Sequence, residues 1–152
     1  NKATFYQHYE DLYDLSESME NELIDNIISS IPHPDTLLDD PEQATLEIFS
    51  AFSGQTRLLD ILFSGSRRSV LIGKLESRIR DLMLRKYPDY EGDLEKEVLI
   101  TFLIQGSFHA YLKHSGPDRG NGPAAVRLIA ALVKRLQPFP DELPDENTVH
   151  RS

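Results

Sequence analysis

The chain has 152 residues, 39% of them apolar and 27% charged, with a net charge of −9. That size suits one domain with a sizeable core. The absence of cysteine excludes disulfides, thiol catalysis and thiolate metal sites, and no run approaches the ~18 apolar residues that would span a membrane.

In chain order, residues 1–9 crowd Thr4, Phe5, Tyr6, His8 and Tyr9 into a short helical stretch. Short polar side chains suit base edges, and Tyr or His can reach phosphate oxygens. An aromatic N-terminal helix docked on a core accounts for the same residues. A sharp turn is expected next, after which Asp11, with Asp14 three places on, can cap a long helix. Leu12, Leu15, Met19, Leu23, Ile27 and Ile31 recur at three- and four-residue spacing as far as Pro32, and Ile24 and Ile28 widen that stripe.

Pro32-His-Pro34 reads as a stiff loop. Asp40-Pro41 offers an N-cap with proline at the first helical position, opening a helix over 42–52. Gly54 interrupts it, and a shorter helix is expected from Gln55 to Phe63. Ser64-Gly65 breaks the chain again. The segment Ser66 to Lys86 then reads as a long helix stopped at Tyr87-Pro88, with Leu71, Ile72, Leu75, Ile79, Leu82 and Met83 on its apolar face. Arg78 falls at the edge of that face, and Glu76–Arg80 and Asp81–Arg85 are spaced for surface pairs.

The last two helices differ in kind. Leu94 to Leu112 is apolar nearly all round, and Pro123 to Leu136 combines alanines with Val126, Leu128, Ile129, Leu132 and Val133. A helix without a wide polar face must be covered on several sides. Too few helices remain to cover both, so a second copy of the chain is the expected cover. Gly106 and Ala110, four apart, would let another helix approach closely. The interface is expected to involve Phe102, Gly106 and Ala110 of the first helix and Val126, Ile129, Ala130 and Val133 of the second. Residues 138–152, with Pro138, Pro140 and Pro144 among acids, read as an irregular tail.

Motifs for chemistry are few. His109 and His114 are five apart, off the i, i+4 face of a helical zinc pair, and His8, His33 and His150 fall in no ligand pattern, so no metal is expected. Gly73-Lys74 follows Gly65 at too long a gap for a phosphate loop, with Leu75 where Ser or Thr is needed. Without a nucleophile elbow or paired catalytic acids, neither an enzyme nor a cofactor is expected. A ligand pocket is better supported. Gln105 and His109 lie four apart on the apolar helix near Val98 and Phe102, and a buried polar pair needs partners. Those partners are a small molecule, or else each other, the backbone or a second copy. Arg78, Phe49, Phe52 and Phe63 are expected to line the same cavity.

Asn1-Lys-Ala-Thr-Phe-Tyr-Gln-His-Tyr9, followed by Asp11-Leu-Tyr-Asp-Leu15, closely resembles the signature that closes the helix-turn-helix of TetR-type bacterial transcriptional regulators. It departs at Leu12, where the family often carries a lysine that meets the DNA backbone. Glu47-Ile-Phe-Ser-Ala-Phe52 and Ile100-Thr-Phe-Leu-Ile-Gln-Gly106, leading into Tyr111-Leu-Lys113, resemble less specifically the regulatory domain of one branch of that family. The resemblance implies an all-α fold: a recognition-helix remnant (1–9), a connecting helix (10–31), a helical regulatory and dimerisation domain (32–137) and a tail (138–152). It implies a cytoplasmic homodimer joined through its final two helices. Lys2, Ala3 and Thr4 would face bases or nearby backbone of operator DNA, with Tyr6 and His8 on phosphate. A small-molecule effector in the helical body would govern the spacing of the reading heads; the alternative is a coactivator that meets another protein and takes no effector. The resemblance further implies two helices and a turn ahead of Asn1. Without them a recognition helix has no scaffold. Residues 1–31 also hold seven acids against Lys2 alone, which disfavours phosphate contact by this part of the chain.

Overall fold

The computed structural model describes residues 2–33, 39–115 and 120–136, with side chains from residue 11 onward. Over these residues the chain is all-helical: α1 (Lys2–Ser29), α2 (Pro41–Ser53), α3 (Thr56–Leu62), α4 (Arg67–Lys86), α5 (Leu94–His114) and α6 (Gly122–Leu136), with a single 3-10 turn at Pro88–Tyr90. The expected tail lies outside the described residues.

Local chemistry explains most of the boundaries. Asp40 caps α2 by accepting a hydrogen bond from the Gln43 amide at 3.1 Å, with Pro41 next to it. Asp93 caps α5 in the same way through the Lys96 amide, and Glu95 and Glu97 in its first turn oppose Lys113 and His114 in its last. Gly65 between α3 and α4 and Gly92 before α5 have φ of 59° and 80°, a conformation costly for any residue with a Cβ.

The first helix departs from expectation in two ways. No turn interrupts it near Glu10 and Asp11, because no glycine or proline lies between Lys2 and Ser29 to break the run. At 28 residues it is also about 42 Å long, whereas the 13-residue α2 and 7-residue α3 beside it are far shorter. Its expected stripe therefore divides. Leu23, Ile24, Ile27 and Ile31 are in the core, while Leu12, Leu15 and Met19 are 64%, 56% and 45% exposed. Where the buried half begins stands a carboxylate. Glu20 is only 1% exposed, on the same face as Ile24 and Ile27.

Two residues seven apart on α4 satisfy Glu20. Arg67 donates to its two oxygens at 2.6 and 2.5 Å, and Lys74 Nζ donates at 3.2 Å while also reaching Asn21 Oδ1 at 2.8 Å. Burial alone would raise the Glu20 carboxyl. The hydrogen bonds and positive charges of Arg67 and Lys74 outweigh it and hold the group below its ordinary range.

The core forms where α2, α3 and α4 meet the second half of α1 and continues between them and α5 and α6. Leu71, Ile72, Leu75, Ile79 and Met83 of α4 are buried as their spacing predicts. Glu76 and Arg80 do not pair with each other. Glu76 accepts hydrogen bonds from Thr101 and Gln105 of α5, and Arg80 pairs with Glu97 at 2.6 Å. The neighbouring helix offers better-placed partners than the next turn of α4. α6 packs against both α2 and α5, and Lys134 reaches Glu42 of α2 at 2.7 Å.

Glu20→Ala should cost about 2 kcal/mol, less than the ~3–5 kcal/mol of a fully buried pair because Arg67 is partly solvated. At this chain length that lowers Tm by roughly 4–8 °C near neutral pH. The folded-state pKa is depressed, so the stabilisation is complete above the ordinary carboxyl value of 4.5 and fades as pH falls through the lower folded value. Thermal unfolding from pH 7 to 3 should show the two proteins converging in acid; a gap that stays constant would exclude Glu20 as the source.

Candidate functional site

Two regions of the body carry the candidate site residues. The first is an aromatic cluster between α2 and α5. Phe49 stacks on Tyr111 with ring centroids 4.7 Å apart and meets Phe108 at 5.1 Å; Phe52 meets Phe108 at 5.6 Å and Tyr111 edge-on at 5.4 Å. Such pairs add about 0.5–1.5 kcal/mol each beyond the area they bury. Beside the cluster is a cavity of about 60 Å³ bordered by Phe52, Phe63, Leu71 and Tyr111, with Asp60 and Arg68 also contributing to its lining. Burial pushes the Tyr111 hydroxyl up, against a hydrogen bond from Ser115 that lowers it, with the charge of Asp60 adding to the rise.

The residues expected to share one ligand cavity are thus separated. Phe52 and Phe63 border this cavity, and Phe49 is buried in the neighbouring cluster. Gln105 instead donates to Glu76, and His109 is exposed rather than bonded to Gln105. Arg78 pairs with Asp25 of α1 at 3.1 Å on the surface. Phe102 is 64% exposed on the far side of α5. An i, i+4 spacing placed Gln105 and His109 on adjacent turns, but the rotation of α5 turns the first toward α4 and the second toward water. The arginine at the cavity is Arg68. Sequence reasoning missed it, although Arg68 lies one turn before Leu71 and Ile72 on the same face of α4, because a charged residue at the head of the stripe was not counted with its apolar members; it also passed over Asp60 and Tyr111.

The second region is the outer face of α5 and α6. Leu94, Val98 and Phe102 on α5, and Leu128, Leu132 and Leu136 on α6, are all at least 44% exposed. Between the helices runs a groove of about 290 Å³ lined by Phe102, Gly106 and Ala110 on one side and Ile129, Leu132 and Leu136 on the other. A Cβ added at Gly106 would meet nothing within 4 Å. Of the expected interface residues, Phe102 and Gly106 are exposed, whereas Ala110 and Val126 are half-buried. Ile129, Ala130 and Val133 are buried within the chain itself. Their apolar side is used on α2 and α5, which leaves the Leu128, Leu132 and Leu136 row outward.

The backbone of Lys2, Ala3, Thr4, Tyr6 and His8 belongs to α1; their side chains lie outside those described. No helix among the described residues is long and apolar enough to cross a membrane. Comparison with known protein families, curated proteins and solved structures gives no match.

Phe49→Ala should cost about 3–5 kcal/mol by opening the aromatic cluster, read from the urea midpoint at unchanged slope. A loss below about 1 kcal/mol would mean that Phe49 is not a core residue.

Proposed function

We propose that the chain is the body of a cytoplasmic TetR-type transcriptional regulator that binds operator DNA as a homodimer. The observation that carries this reading is the residue pattern Asn1-Lys-Ala-Thr-Phe-Tyr-Gln-His-Tyr9 at the head of a long helix attached to an all-helical body. The pattern supplies groups suited to base edges and phosphates. Lys2, Ala3 and Thr4 read or approach bases, and Tyr6 and His8 hold phosphate. The helices that would scaffold this segment precede Asn1 in that reading, and basic groups there offset the acidic face of α1.

Dimerisation through α5 and α6 is supported by their outward apolar rows. The six large side chains, each at least 44% exposed, leave a contiguous apolar surface on the scale of hundreds of Å², as an interface of ~800 Å² per partner requires. Along α5 the row Leu94, Val98, Phe102, Gly106, Ala110 runs from large to small. A second copy laid antiparallel brings the large half of each row over the small half of the other, with Phe102 of one copy above Gly106 of its mate.

The coactivator reading, in which the body meets another protein and takes no effector, has one observation in its favour. The cavity beside Phe52 and Phe63, at about 60 Å³, is well below the ~300–1,000 Å³ of a drug-sized site.

Fluorescence anisotropy of the full gene product on DNA from upstream of its own gene, at two salt concentrations, tests the regulator. Tight, salt-sensitive binding that unrelated DNA cannot displace is expected, and Tyr6→Phe should weaken it. Weak, non-specific binding would transfer the weight to the coactivator. The interface has its own test. Gly106→Leu meets open space in one chain and should leave the fold intact while shifting the dimer toward monomer by at least about tenfold in Kd, which sedimentation velocity would register. An unchanged dimer would place the interface elsewhere.

A further inference from the structure

The small cavity carries more chemistry than its size suggests. Its floor is made by Phe52, Phe63 and Leu71, and it is lined as well by Asp60 of α3 and Arg68 of α4. Both charged residues are exposed at its edge. Ion pairs form widely over the body, between Arg78 and Asp25, Arg80 and Glu97, and Lys134 and Glu42. Among the described residues neither Asp60 nor Arg68 takes part in one. Opposite charges that border one opening without satisfying each other leave a carboxylate acceptor and a guanidinium fork free for a third party.

We propose that this cavity binds a small zwitterion with a short branched apolar group, an α-amino acid of the valine kind. Its carboxylate meets Arg68, its ammonium meets Asp60, and the branched group rests on the Phe52, Phe63 and Leu71 floor. Charge balance selects the class. A lone anion would feel Asp60 and a lone cation would feel Arg68, whereas a zwitterion is attracted at both ends. Volume selects the side chain. About 60 Å³, where one water needs ~10–15 Å³ of the same kind of space, admits only a group of a few heavy atoms, the size of a short branched side chain. A longer or aromatic side chain overfills it. The hydroxyl of Tyr111 stays neutral at the same wall and can donate a hydrogen bond.

Binding is independent of DNA; only the ligand's role as effector rests on the regulator reading. The test is a titration of the isotopically labelled chain with L-valine, isobutyrate and isobutylamine, followed by NMR in the absence of DNA. L-valine should shift the signals of Leu71 and Tyr111 and saturate by about 10 mM, a modest affinity for so few contacts. The two half-molecules should bind at least about tenfold more weakly, and Arg68→Gln and Asp60→Asn should each weaken L-valine by a similar factor. Both substitutions are at exposed side chains, so an unchanged spectrum would verify that each variant is folded. Isobutyrate binding as well as L-valine, no saturation, or unaltered affinity in both folded variants would each overturn the proposal. Valine binding by a protein that ignores DNA would sink the regulator reading alone, and specific DNA binding without valine binding would sink this one alone.

Discussion

Four aromatic rings fix the rotation of α5, and much of the surface follows from that. Phe108 and Tyr111 are held against Phe49 and Phe52 of α2, so Ile104 and Ile100, on the same face of α5, also point inward. The opposite face is then obliged to point out. It carries Val98, Phe102 and Gly106, and no helix among the described residues covers it. Turning α5 to hide Phe102 would expose Phe108 and Tyr111 instead, at a cost of several aromatic contacts worth about 0.5–1.5 kcal/mol each. The exposed row is therefore a consequence of good internal packing. The same rotation brings Gln105 to Glu76 and points His109 toward water, which removes the polar pair from any shared cavity.

Most helix boundaries were legible because each has a local cause. Asp40-Pro41, Gly54, Ser64-Gly65 and Tyr87-Pro88 act through caps, missing amides and backbone freedom, and these need no tertiary information. The α4 stripe was legible for the same reason, since spacing alone determines which residues share a face. What spacing cannot give is how far a neighbouring element extends. The stripe of α1 continues through Leu12, Leu15 and Met19, but α2 and α3 are too short to cover that end. The candidate site was less legible. A pairing rule within one helix joined Glu76 to Arg80, and a spacing rule joined Gln105 to His109; both pairs were separated by partners on an adjacent helix. Arg68 and Asp60 border one cavity only because the turn at Gly65 folds α4 back beside α3, a proximity that periodicity does not register.

Glu20 was counted only among the acids of the first helix, and its burial was not read from the sequence, although the signal was there. Its spacing to Ile24 and Ile27 puts it on the core face, and Arg67 and Lys74, two turns apart on α4, are the basic residues such an acid requires. A buried carboxylate is poor value for stability compared with an apolar residue of the same shape. What the network does supply is direction. Arg67 grips both oxygens of Glu20 and Lys74 ties Glu20 to Asn21, so α1 is held at one place along its length and at one rotation. An apolar contact would permit sliding that three charge-assisted hydrogen bonds do not.

That grip lies next to the small cavity. Arg67, which holds Glu20, and Arg68, on the cavity's edge, are consecutive residues in the first turn of α4. They project about 100° apart, one toward α1 and the other toward the zwitterion site. A ligand drawn onto Arg68 thus acts on the same turn of backbone that fixes α1, across a distance of one residue. Coupling requires that the ligand bind one setting of that turn better than another, since equal affinity for both would move nothing. It is also reciprocal: whatever holds the first half of α1 in place must alter affinity at Arg68 by the same factor. The long exposed half of α1 gives such an effect reach. A pivot at Glu20 of only a few degrees is magnified over the 18 residues back to Lys2, about 27 Å of helix, so a small shift at the cavity becomes a displacement of ångströms at the first residues of α1.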